Sequence, residues 1–138
     1  MGPPRILIVA GDPDVGDLYS LELATSLESS TTWVPDAASA RRLLGSDAQY
    51  DAILLDVGSP PRWRDCTDLG SCAGGLPVIV VSGWIAADRR FRRQAFEAGC
   101  AAFVAKPCSS TSLSEAVRRA RLGERYIELV AVVPDLST

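Results

Sequence analysis

Residues 51–56 read DAILLD and residues 76–82 read LPVIVVS, two nearly unbroken apolar runs that close on the polar side chains Asp56 and Ser82. A strand with one solvated face alternates apolar and polar residues, whereas a strand covered by helices on both faces reads as a continuous apolar run. These two are of the second kind, and the pattern extends outward from them. Arg5 to Ala10, RILIVA, is another such run, closed by the turn-forming Gly11, Asp12 and Pro13. Ala101 to Ala105 is a further one, and Thr31 to Val34 is a shorter β-prone run.

Helical periodicities separate these strands. Val15, Tyr19, Leu23 and Leu27 recur every fourth residue, which places one apolar stripe on a helix beginning near Pro13 and Asp14. Asp36 is placed to cap a helix over 37–44 that Gly45 stops, and a helix over 87–98 is ended by Gly99. Ser112 with Glu115 forms a capping-box signature for a last helix. Residues 58–75, GSPPRWRDCTDLGSCAGG, hold two prolines and four glycines, so the third helix is expected to be short or irregular. The alternation predicts an α/β fold, a doubly wound five-stranded parallel sheet flanked by helices, with its ligand site outside the carboxyl ends of the strands. The tail from Gly123 carries an apolar run, Ile127 to Val133, that five βα units do not require. It is open to three readings: an added edge strand, a helix extension, or an interface that includes a homodimer contact. The expected organisation is one domain over 1–122 with an extension over 123–138.

Composition bounds the function. A chain of 138 residues, 47% apolar, can bury one core and is too short for two ordinary domains. Its apolar runs fall well short of the roughly 20 residues that cross a bilayer, and no basic-then-apolar leader opens it, so a soluble cytoplasmic protein without membrane contact is expected. A net charge of −3 argues against a whole-surface nucleic-acid binder. Arginines do cluster, at 89, 90, 92 and 93 and at 118, 119 and 121, and they read either as a basic docking face or as solvated helix surface. Trp63 and Trp84, in predicted loops, either mark a contact surface or cover the pocket. Cys66, Cys72, Cys100 and Cys108 lack CxxC spacing and the chain has no histidine, so the thiols are read as reduced and structural, not as zinc ligands.

If the strands end together, Asp12, Asp56, Ser82 and Lys106 approach one another. A carboxylate can attack phosphorus to form an aspartyl phosphate, while an ammonium, a hydroxyl and Mg²⁺ offset the charge that accumulates. At this point DAILLD followed by VGSP, then LPVIVVSG, then EAGCAAFVAKP, resembles the response-regulator receiver domains, a flavodoxin-like family, over about residues 5–122. The resemblance implies Asp56 as phosphoacceptor, Gly58 as a backbone carbonyl ligand of the metal, Ser82 as switch hydroxyl, Phe103 as switch aromatic and Lys106 as phosphate-binding lysine. Pro107 is implied as the partner in a cis lysine–proline peptide. It also implies a signalling role without enzymatic turnover, with a histidine kinase or a downstream target as partner.

The departure lies after the first strand, where the family has two adjacent acidic residues and this chain has Ala10 and Gly11. Asp12 comes one position later, and adjacent side chains leaving a strand point in different directions. Mg²⁺ is normally held by one or two carboxylates plus waters, so its binding is expected to be weakened, with Asp56 paired instead to Lys106. The reading is a stand-alone atypical receiver that acts by protein binding, with weak or absent Mg²⁺-dependent phosphorylation at Asp56. Two alternatives stand beside it. One is a working phosphoacceptor in which Asp12 joins Asp56 and Gly58 at the metal. The other is a small α/β enzyme or nucleotide-binding protein, although the loop AGDPD lacks GxGxxG and P-loop spacing. For Asp12 and Asp14 the competing role is to cap the positive end of the first helix.

Overall fold

A computed structural model describes residues 3–46, 49–58, 64–72, 74–83, 89–106 and 110–129. Along the chain run β1 (Arg5–Val9), α1 (Pro13–Leu27), β2 (Ser30–Val34), α2 (Ala37–Leu44), β3 (Ala52–Asp56) and α3 (Arg64–Cys72). They are followed by β4 (Val78–Ser82), α4 (Arg89–Glu97), β5 (Ala102–Ala105), α5 (Ser110–Arg121) and β6 (Ile127–Leu129). The strands form one sheet in the order β2-β1-β3-β4-β5-β6, every neighbouring pair parallel. The chain therefore reverses its direction of progress across the sheet after β2, and the crevice of such a doubly wound sheet opens outside β1 and β3.

The pleat sorts the apolar runs onto two faces. Ile6, Ile8, Ala10, Leu54, Ile79, Val81 and Val104 pack under α1 and α5, together with Tyr19, Leu23 and Leu113. Leu7, Val9, Ile53, Leu55, Val57, Val78, Val80 and Phe103 point the other way, toward Ala37, Ala40, Cys66, Leu69 and Ala95 of α2, α3 and α4. Alternate residues of one strand thus serve two cores, which is why β1, β3 and β4 carry almost no polar residue.

Two expectations need correction. The sheet has six strands, not five: of the three readings left open for the tail, β6 realises the edge strand, pairing Ala102 with Ile127 and Val104 with Leu129. Val130 to Val133 lie outside the described residues. The capping-box reading of Ser112 is also displaced, because α5 starts at Ser110 and Ser112 is already inside its first turn. Glu115 instead bonds Arg118 one turn on, at 2.6 Å, and that guanidinium holds the exposed carboxyl below its ordinary range. Asp36 does cap α2, accepting from Ser39 N at 2.7 Å.

The third helix is short, nine residues, and it packs tightly. Gly70 lies against the turn after α4 so closely that a Cβ there would fall on the carbonyl oxygen of Ala98. Cys66 and Cys100 are buried and reduced at the same junction, where a hydrogen bond with the Cys100 thiol, then burial, pushes the Cys66 thiol well above its ordinary pKa. The side chain of Cys72, and Cys108, lie outside the description, as do Trp63 and Trp84. Among the described residues no helix is long and apolar enough to cross a membrane.

Candidate functional site

The parallel register brings the site together. Asp56 closes β3 opposite Val81, and Ser82 closes β4 opposite Ala105, so the polar ends of both strands emerge at one edge of the sheet. The Lys106 N–H donates to the carbonyl of Ser82 at 2.8 Å, which extends the ladder by one residue and fixes where the lysine leaves β5.

Asp56 is only 6% exposed, yet its carboxylate is well supplied with donors. The Lys106 ammonium lies 2.6 Å from Oδ2. The Tyr19 hydroxyl, arriving from α1, donates to the same oxygen at 2.6 Å. The N–H of Gly58 donates to Oδ1 at 2.9 Å. A buried carboxylate is costly unless it is paired and hydrogen-bonded, and here it has one ammonium, one phenol and one backbone amide. The ammonium also lies 5.9 Å from the centre of the Tyr19 ring, within cation–π range. Lys106 is the more accessible partner, its side chain 36% exposed.

Of the residues singled out in the sequence, Asp56, Gly58 and Lys106 are in direct contact. Ser82 is buried beside them through the backbone, and its hydroxyl has no hydrogen-bond partner among the described residues. Phe103 is fully buried in the core under α3 and α4. Pro107 lies outside the described residues. Asp12 is exposed and caps α1, its carboxylate accepting from Asp14 N at 2.9 Å. The sequence places Tyr19 only in an apolar stripe and Gly58 only as a carbonyl ligand, so neither the Tyr19 hydroxyl nor the Gly58 amide is foreseen as a donor to Asp56. The available signal was chemical: a tyrosine on a buried stripe must bring its hydroxyl to some acceptor.

The loop after β1 is held in place. Ala10 is buried with its methyl in the α1–α5 core, its N–H donates to Val34 at 3.1 Å, and its carbonyl accepts from the Trp33 indole at 2.9 Å. Trp33 lies so close to α1 that a Cβ on Gly16 would overlap the indole. Beyond the Gly58 carbonyl, a divalent ion at Asp56 would need further oxygen ligands, and the described residues beside it supply no second free carboxylate. Ala10 offers a methyl, Asp12 is engaged at the helix cap, and an ammonium already stands against Oδ2. No cluster of three or more His, Cys, Asp or Glu side chains suited to a metal ion occurs among the described residues. Among the described residues the donor set fits an ion-paired carboxylate and lacks the second carboxylate on which a Mg²⁺ site would draw.

Neither a family model nor a curated protein matches the sequence. Solved structures do match in fold. The receiver domain of the Francisella response regulator 1452 superposes with a TM-score of 0.72 at 21% identity, covering 87% of this chain and 98% of that one. FixJ-N gives 0.75 at 22% identity, over 96% of this chain and 100% of that one. A CheY-like receiver domain protein from Methanospirillum hungatei JF-1 gives 0.74 at 18% identity, over 88% and 96%. The chain has the flavodoxin-like fold of response-regulator receiver domains.

Proposed function

We propose that this chain is an atypical receiver module of two-component-type signalling, one that works by binding a protein partner, a histidine kinase or a downstream target. Phosphorylation of Asp56 is weak or absent in this reading, and catalytic turnover is not part of it. The observation that carries it is the buried Asp56 carboxylate bonded at once by Lys106, Tyr19 and Gly58, beside a strand end that carries Ala10 and Gly11 where the resemblance to receivers leads one to expect carboxylates. Such a carboxylate has its charge offset within the protein and has no built cage for a divalent ion. The alternative in which Asp12 holds the metal would turn toward Asp56 an exposed carboxylate that already caps α1 through Oδ1.

The test is a Mg²⁺ titration of the purified protein, followed by intrinsic tryptophan fluorescence with a small phosphodonor or beryllofluoride. The expected result is no Asp56-dependent response at millimolar Mg²⁺. A response at or below millimolar Mg²⁺ that disappears in Asp56→Ala would replace this reading with a phosphorylation switch.

A further inference from the structure

We infer that the Tyr19 hydroxyl is a positioning group that holds Asp56 in a closed, ion-paired state and withholds it from phosphoryl transfer. This rests on the reading of the chain as a receiver module with a muted phosphoacceptor, and it assigns part of the muting to one residue of α1.

Asp56 Oδ2 receives two short bonds, from Lys106 and from Tyr19, while Oδ1 receives the Gly58 amide. To accept a phosphoryl group from acetyl phosphate, a carboxylate oxygen must present a lone pair in line with phosphorus. The new O–P bond then forms as the bond from phosphorus to the acetate oxygen breaks, and acetate leaves with that electron pair. An oxygen already accepting from an ammonium and a phenol is a poor nucleophile until one donor moves. Lysine at this position has exposure and a flexible stem with which to move.

Tyr19 has neither freedom. It is 3% exposed, and it packs in the core with Leu23 of its own helix. Its helix is tied to the sheet by Gly16 under Trp33, and its first turn is capped by Asp12. Phenylalanine would fill the same core volume, so the hydroxyl is the part of the side chain that packing does not require.

The experiment compares Tyr19→Phe with the unaltered chain in acetyl phosphate, with and without Mg²⁺, following incorporation of the phosphoryl group by intact mass, with Asp56→Ala as the blank. The expected result is an Asp56-dependent rate at least about tenfold above that of the unaltered chain. Tyr19→Leu, which removes the hydroxyl with different packing, should move the rate in the same direction. A mere packing role would leave the rate unchanged. Equal, near-zero rates in the folded Tyr19→Phe and unaltered chains would overturn the role of Tyr19 and leave the muted-receiver reading standing. Rapid incorporation in the unaltered chain would instead overturn that reading, and the Tyr19 inference with it.

Discussion

Replacing Lys106 with methionine removes the ammonium and keeps much of the aliphatic stem, so it isolates the charge pair from packing. Breaking a fully buried ion pair by deleting one partner costs about 3–5 kcal/mol, because the other charge is left uncompensated. Two features of this site reduce that figure. The Lys106 side chain is 36% exposed, so water reaches that end and screens the pair. Asp56 also keeps the Tyr19 hydroxyl and the Gly58 amide, and hydrogen bonds to a charged group contribute about 1.5–3 kcal/mol each. The expected loss is therefore about 1–3 kcal/mol, read from the urea midpoint at constant slope. A double-mutant cycle with Asp56→Asn separates the pair from the lysine stem: once the carboxylate is neutral, Lys106→Met should cost little, giving a coupling of about 1–3 kcal/mol. If the two substitutions add to within about 0.5 kcal/mol, the 2.6 Å contact does no energetic work and the ion-pair account of the site is wrong.

Three further outcomes follow from other parts of the fold. Gly70→Ala should destabilise by about 1–3 kcal/mol, because its methyl would meet the backbone carbonyl of Ala98, which cannot rotate away; an unchanged denaturation midpoint would mean that α3 packs more loosely than described. Ile127→Ala should cost about 2–5 kcal/mol, since Ile127 is 1% exposed in the core, whereas a loss near zero would show β6 to be an appendage to the sheet. The raised pKa of the Cys66 thiol means that the folded state holds this proton more firmly than the unfolded chain does. Its contribution is therefore complete below the unfolded thiol pKa of about 8.5 and is lost as pH rises above it, by up to about 1.4 kcal/mol per pH unit. Stability measured from pH 8 to pH 10 should fall less steeply in Cys66→Ala than in the unaltered chain, and parallel curves would remove Cys66 from the account.

How far the fold could be read from the sequence depended on how local each determinant was. The strands β1, β3 and β4 were readable because burial on both faces writes itself into consecutive residues, and α1 because its stripe spans four turns. Asp56 and Lys106 were placed at one edge by strand ends alone, which is topology, and their pairing followed from charge. Gly70 reads as a helix breaker, yet it sits inside α3 as the point of closest approach to a neighbouring turn, a tertiary fact with no local signature. The capping box at Ser112 is a valid local signal, yet α5 begins two residues earlier and Ser112 lies inside its first turn. The apolar tail was undecided for a related reason: a short run becomes an edge strand only because the far side of β5 offers it a ladder. Tyr19 shows the same limit inside the site, since its period of four predicts burial but cannot say that the acceptor lies 37 residues away.

The neutral residues Ala10 and Gly11 and the Tyr19 hydroxyl belong to one charge balance. With carboxylates at both positions, Asp56 would sit among three negative charges facing one lysine, and a divalent cation would be the physical remedy. With neither, one carboxylate faces one ammonium, and the remaining acceptor capacity needs only neutral donors, which a phenol and a backbone amide supply. Adding Mg²⁺ to that arrangement would set two positive charges beside Lys106 without the carboxylates that compensate them. Restoring acidity at position 10 alone should therefore not restore a metal site. A carboxylate there would have to leave a buried core position on the α1–α5 face, where the Ala10 methyl now packs. Ala10→Asp should lose several kcal/mol of stability before it gains any affinity for the ion. A folded Ala10→Asp variant of unchanged stability that binds Mg²⁺ at millimolar concentration would show that the pocket lacks only the ligand, and that the balance among Tyr19, Asp56 and Lys106 does not by itself keep the ion out.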